Sequence, residues 1–242
     1  MTQFSVATWN IHKGVRGLGP RKRLEIHDIG HAVEQLDADV VCLQEVRSFH
    51  HKHALHFERW PEQPQADYLA PEGYHAVYRT NATTDHGEHG NAVLTRWPVH
   101  DVQHEDMSDH RFEQRGLLHV AVQLNGRMLH VVVLHLGLIA ASRRRQIAQL
   151  GHYLARQVPE DAPLLVAGDF NDWGERLHGP MHKLGMHTLH AEMKPTFPSR
   201  FPLLHLDRVY VRGLHIEGML VPRGRVWTRM SDHLPLLVQL RF

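Results

Sequence analysis

With 242 residues, 42% hydrophobic and 22% charged, the chain has the composition of a globular protein with a sizeable core. Lys and Arg number 27 against 26 Asp and Glu, which excludes a histone-like polycation and leaves any phosphate-bearing ligand to local charge or a metal. A lone cysteine, Cys42, excludes an intrachain disulfide, and no apolar run nears the roughly 20 residues of a membrane-spanning helix.

The N-terminus shows no signal-peptide pattern, so a cytoplasmic protein is expected: one domain over 1–242, monomeric, with no transmembrane segment. Phe4–Trp9 alternates as a strand does and stops at Asn10. A glycine-rich basic loop, Lys13–Arg23, follows. Ile26, Ile29, Val33 and Leu36 then place a helix over 21–36. Asp39–Leu43 is a continuous apolar strand, with Cys42 a small buried hydrophobe inside it, and it ends in Gln44-Glu45. The pattern dissolves from Arg47 to about Gly73, a long excursion rich in His, Pro and aromatics. Strands are predicted at Tyr74–Tyr78, Asn91–Thr95, Gly116–Leu124 and Met128–Leu134, the last two joined at Asn125-Gly126, a strong hairpin signal. A second helix spans Ser142–Val158. The apolar run Leu164–Ala167 leads into Gly168-Asp169-Phe170-Asn171, and strands at Leu206–Val211, Ile216–Leu220 and Leu234–Leu240 close the chain. The simplest architecture is α/β: two sheets face to face, with helices outside.

Polar residues collect where hydrophobic runs stop: Asn10, Glu45, His135, Asp169 with Asn171, Asp207, and Asp232 with His233. Each alone reads equally as a turn, cap or ordinary pair; Asp207, for instance, can pair with its neighbour Arg208. Together they suggest polar groups gathered at the rim of a buried scaffold. The 24 histidines fall mostly in loops such as His50-His51-Lys52-His53 and read as solvated surface, with a transition-metal site as the alternative.

The ordered set Thr8-Trp9-Asn10-Ile11, Leu43-Gln44-Glu45-Val46, His135-Leu136, Gly168-Asp169-Phe170-Asn171, Leu206-Asp207-Arg208-Val209-Tyr210 and Ser231-Asp232-His233-Leu234-Pro235 resembles the endonuclease/exonuclease/phosphatase superfamily, the DNase I-like phosphoesterases. The detailed wording is most similar to the short bacterial YbhP-like branch, and the resemblance runs from Asn10 to Pro235. It implies a four-layer α/β/β/α sandwich and a phosphoester hydrolase that uses Mg2+, with Mn2+ as substitute. That chemistry suits hard oxygen ligands that retain water. By the resemblance, Glu45 is the first metal ligand, with Asn10 and Asp232 completing or orienting the shell. Asp169 orients or deprotonates the attacking water, and Asn171 holds water or a phosphoryl oxygen. His233 meets the phosphate, fixed by Asp207, and His135 is a second candidate acid. Arg115 reads as a phosphate clamp or a surface charge, and Asn91 as a substrate contact or, with more weight, a structural residue. His12 stands where some relatives carry a metal-binding aspartate and would be a phosphate contact.

DNA is the expected substrate, with a phospholipid headgroup or small phosphoester as the alternative. Lys13–Arg23 and Arg143-Arg144-Arg145 favour nucleic acid, although the triple arginine also suits a solvated helical turn. Phe57, Trp60, Phe197, Phe201 and Trp227 favour a lipid face, or plain packing. An inactive scaffold would lack Glu45, Asp169 or His233, and all three are present.

Overall fold

The first strand, β1 (Gln3–Asn10), is buried on both faces, which requires a layer above and a layer below it. A computed structural model describes residues 2–17 and 19–242; Leu18, inside the expected basic loop, and Met1 lie outside them. After β1 come a small ribbon of β2 (Val15–Arg16) and β3 (Arg23–Leu24), α1 (Ile26–Leu36), β4 (Val40–Val46), α2 (His51–His56), α3 (Gln65–Leu69), β5 (His75–Thr84) and β6 (Gly87–Thr95). The second half holds β7 (Val99–Asp106), β8 (Gly116–Leu124), β9 (Arg127–His135), α4 (Ala140–Gln157), β10 (Leu164–Asp169), α5 (His178–Lys183), β11 (Asp207–Arg212), β12 (His215–Leu220), α6 (Trp227–Met230) and β13 (Leu236–Arg241).

One sheet runs β12-β13-β1-β4-β6-β5 and the other β11-β10-β9-β8-β7. Phe4, Val6, Val40, Cys42, Val131, Val133, Leu165 and Val209 fill the space between them. The opposite faces take helices: Trp9, Val41 and Leu43 meet Ile26 and Ile29 of α1, while Val132, Leu134 and Val166 meet Ile147 and Leu150 of α4. This is the α/β/β/α layering expected from the sequence. Two pairs of parallel neighbours, β1 with β4 and β9 with β10, bring their C-terminal ends together.

Several boundaries differ from expectation. The first helix begins at Ile26 rather than Arg21, because Leu24 pairs with Val15 in the ribbon. The edge strand β7 is absent from the sequence reading: only Val99 and Val102 of its eight residues pack on the core, so it carries no alternation signal. β5 and β6 extend past the expected Tyr78 and Asn91 as a polar hairpin. The excursion contains α2 and α3, and Ala66 and Leu69 of α3 join the α1 layer. The Asn125-Gly126 hairpin is as expected, both residues having positive φ (49° and 78°) as a type I′ turn requires.

Beneath α4 a chain of neutral hydrogen bonds links His130, His119, Tyr153 and Gln103, with His119 2.9 Å from both His130 Nδ1 and the Tyr153 hydroxyl. Burial, then His130, pulls the His119 pKa down to about 4. The unfolded chain takes up this proton near pH 6.5, so between 6.5 and 4 it binds more protons than the folded one and stability is lost as the pH is lowered. This site alone is expected to cost about 2 kcal/mol between pH 7 and pH 5. The loss in urea midpoint between the two pH values, compared in wild type and His119→Phe, checks it; an equal loss in both proteins would refute the neutral relay.

Candidate active site

Strand alternation builds most of the site. In β1, Asn10 shares the face of Phe4 and Val6; in β9, His135 shares that of Val131 and Val133; in β10, Asp169 shares that of Leu165 and Ala167; and in β11, Asp207 shares that of Val209 and Val211. All four therefore project between the sheets, at strand ends. Register supports this, since Asp169 lies opposite His135 on one side and Asp207 on the other.

Glu45 breaks the rule. Parity with Val41 and Leu43 would send it to the helix layer. The β4–β6 pairing instead shifts register between Leu43 and Val46, and Glu45 adopts φ of +57°, which turns its carboxylate to Asn10. His12, Lys13 and Asn171 also hold positive φ, at 47°, 64° and 47°.

Asn10 Nδ2 donates to Glu45 Oε1 (3.3 Å) and Asp169 Oδ2 (3.2 Å). Asp169 Oδ2 lies 3.6 Å from His135 Nε2 and 3.7 Å from His233 Nε2, while its Oδ1 accepts the Asn171 N–H at 2.9 Å. His233 Nδ1 is 2.8 Å from Asp207 Oδ2, which also accepts the Thr196 hydroxyl at 2.6 Å. Asp169, Asp207, His135, His233 and Asn171 are all buried. Asn171 Nδ2 donates to the Leu136 carbonyl.

The two imidazoles differ in charge. Burial opposes a proton on His233, yet the Asp207 and Asp169 carboxylates outweigh it and lift its pKa to about 10. Burial and the Arg115 guanidinium push His135 down to about 4, so it is neutral at pH 7. Burial pushes Asp169 upward against the pull of both histidines. Burial would also raise Glu45, but Lys13, then His135, hold it well below the usual carboxylate range. Lys13 Nζ is 2.5 Å from Glu45 Oε2, so the ammonium holds the carboxylate oxygen that Asn10 does not reach.

The outlying residues divide. Asp232 sits at the outer edge, 3.4 Å from His12 Nδ1, with no hydrogen bond or ion pair to Asn10 or Glu45 among the described residues. Arg115 is held by Glu113 and the Leu136 carbonyl, beside His135. Asn91 is fully buried, and its amide nitrogen donates across to the Gly116 and Val133 carbonyls. It ties the sheets together, which corrects the substrate-contact expectation. Arg143 is no solvated charge either: it is buried, donating to the Gly137 and Leu138 carbonyls, and Arg145 pairs with Asp109. Trp227 packs on Trp9, and His53 is buried. Arg208 turns away from Asp207, as alternation demands, and pairs with Asp172 at 3.1 Å. Thr196, Lys13 and Asp172 were not singled out from the sequence: Thr196 sits in an irregular Pro-containing stretch, and nothing in its spacing marks it.

Among the described residues no three His, Cys, Asp or Glu side chains converge on a metal cage. The donor set, the Glu45 carboxylate beside the Asn10 amide, fits a Mg2+-type ion, which takes one or two carboxylates and keeps its waters, and the Lys13 ammonium already sets a cation against Glu45 Oε2.

A two-sheet sandwich with carboxylates, carboxamides and histidines at one rim defines a phosphoesterase class. The chain belongs to the Endonuclease/Exonuclease/phosphatase family, whose model matches residues 7–233. It is 37% identical over 245 residues to the uncharacterized protein YbhP of Escherichia coli (strain K12), covering 98% of this chain and 96% of that one. Among solved structures it is similar to the mannosyl-6-phosphatase Bt3783 of Bacteroides thetaiotaomicron (TM-score 0.74, 18% identity, 99% of this chain and 100% of that one). It is also similar to D. rerio TDP2 complexed with single strand DNA product (TM-score 0.68, 16% identity, 100% of both chains). No helix among the described residues is long and apolar enough to cross a membrane.

Proposed function

We propose that the chain is a divalent-metal-dependent phosphodiesterase, a nuclease that hydrolyses DNA phosphodiester bonds by in-line attack of water. The observation that supports this best is the buried line Asp207–His233–Asp169, with Asn10 and Glu45 at its end. Asp169 takes the proton of the attacking water, and Asn10 and the Asn171 N–H fix its carboxylate. A bond forms from that oxygen to phosphorus as the bond to the leaving oxygen breaks. His233, its Nδ1 fixed on Asp207, presents Nε2–H to a phosphoryl oxygen, and Asn171 steadies the same group. His135 lies across Asp169, on the leaving-group side. Glu45 and Asn10, with Asp232 from the edge, would hold the metal, which supplies Lewis-acid charge when bound.

A lipid headgroup is the second reading, because Trp173, Phe201 and Leu203 are exposed near Phe197, whose ring packs on His233. The test is turnover of plasmid and single-stranded DNA, RNA, bis-p-nitrophenyl phosphate and anionic phospholipid vesicles with Mg2+ or Mn2+, each with an EDTA control. DNA cleavage lost in EDTA is expected. Cutting of the lipid alone would replace the nuclease assignment, and no metal-dependent turnover of any of them would end it.

A further inference from the structure

Beside the rim, next to His12 and Lys13, opens a cleft of about 690 Å³. Lys13, Lys22, Arg47, His50, Lys52 and His53 contribute to its lining, and no Asp or Glu does among the described residues. Its volume falls within the range of about 300–1,000 Å³ typical of ligand sites. Lys13 connects it to the catalytic rim, because the same residue lines the cleft and touches Glu45.

Arg47 is the most telling group. It is buried to 9% exposure, and its Nε has no hydrogen-bond partner. Its Nη1 is spent on a histidine rather than a carboxylate. The nearest carboxylate charge acting on it is that of Glu45, yet no carboxylate pairs directly with Arg47 among the described residues, so its Nε remains open to a ligand.

The histidines fix the sign of that ligand. Arginine only donates, so the contact between Arg47 Nη1 and His53 Nδ1 (2.6 Å) leaves the His53 proton on Nε2. His50 Nδ1 accepts the His53 main-chain N–H at 3.1 Å, so its proton is also on Nε2. The rings stack with centroids 4.0 Å apart. Burial, then Arg47, holds their pKa values down, to about 4 for His50 and about 3 for His53, so both stay neutral at pH 7. Each therefore carries an Nε2–H donor with no lone pair for a metal ion. Lys13, Lys22, Arg47 and Lys52 with these two N–H donors, and no carboxylate in the lining, favour an anion, and among the described residues no Phe, Tyr or Trp lines the cleft to stack a base.

We propose that this cleft is an anion subsite that holds a second phosphate group of the substrate, beyond the phosphoester that is cut. The inference rests on the phosphoesterase assignment above and narrows its substrate to molecules with at least two phosphates. The second phosphate is either that of the adjoining nucleotide or one on a small bisphosphate.

The direct test is calorimetric titration of the protein with pyrophosphate in EDTA, which needs no turnover. Lys22→Ala/Lys52→Ala removes two accessible cations, so its folding is not at issue; Arg47→Met removes the buried one and is used if it folds by circular dichroism. Pyrophosphate should bind the wild type and weaken by about tenfold or more in the double variant. No binding, or equal affinity in both proteins, overturns the subsite whatever the turnover.

The substrate arms compare kcat/KM for pdTpdT against dTpdT, and for a sugar bisphosphate against its monophosphate. The pair showing a preference for the second phosphate, reduced in the double variant, names the source. A preference in neither pair, or one the variant retains in full, overturns the proposal. Absence of turnover of every substrate, those with two phosphates included, with intact pyrophosphate binding would instead count against the phosphoesterase assignment alone.

Discussion

Asp169→Asn should lower kcat on any cleaved phosphodiester by about a thousandfold or more, with KM changed far less. The wild-type carboxylate accepts from the Asn171 N–H on one oxygen and from Asn10 Nδ2 on the other, with His135 and His233 Nε2 at 3.6 and 3.7 Å. A carboxamide satisfies only half of this. If its oxygen keeps the Asn171 bond, its NH2 faces the Asn10 amide and the His233 N–H, donor against donor. Flipped, it loses Asn171. Either way the acceptor for the water's proton is gone. The fold should survive, because Asp207 still pairs with His233 Nδ1 at 2.8 Å, so the buried imidazolium keeps a carboxylate. Loss of the Asp169 charge also removes one cause of the raised His233 pKa. The His233 imidazole, followed by NMR, should therefore titrate below the wild-type value of about 10. A folded variant with near wild-type kcat would remove Asp169 from the chemistry.

Arg208→Leu should destabilise the protein by about 3–5 kcal/mol, the usual cost of stranding one member of a buried ion pair. Arg208 and Asp172 are almost fully buried. The guanidinium reaches Asp172 Oδ2 at 3.1 Å and donates to the His205 carbonyl, the Tyr210 hydroxyl and the Asp172 carbonyl. Asp172 in turn accepts the main-chain N–H groups of Arg176 and Leu177. The pair thus clamps the loop after β10 onto β11 and holds Asn171 over the rim. In a chain of this length the midpoint of thermal unfolding should fall on the order of 10 °C. Arg208→Leu combined with Asp172→Leu should recover part of the loss. A double variant no better than the single one would show that the charge left behind was not the cause.

Much of this arrangement was legible in the sequence because strands alternate. Asn10, His135 and Asp169 each end, and Asp207 opens, a run whose odd or even members are apolar, and parity sends all four between the sheets. The same parity argues against the Asp207–Arg208 pairing entertained from adjacency, since neighbours on a strand face opposite ways. Glu45 stands out in the sequence at the end of an apolar run, and its role as a metal ligand comes from the resemblance, but alternation does not place it. Its parity is wrong, and the bulge that corrects it depends on how β4 pairs with β6, a long-range fact with no local mark. The burial of Arg143 and His53 is hidden from the sequence for a related reason, and that of Asn91, where a structural role carries more weight, is only partly visible. Polar side chains become buried when loops fold over them or when a second sheet supplies carbonyls, and neither event is written in the flanking residues.

The left-handed backbone at His12, Lys13 and Glu45 sets selection for stability against selection for chemistry. Each such L-residue carries a conformational cost on the order of 1 kcal/mol that glycine would not. A population propagated for heat resistance alone would drift toward glycine or asparagine at these positions and gain robustness while losing catalysis. On the proposed mechanism, the backbone cost at these three rim positions is the stability given up for the placement of the carboxylate at position 45.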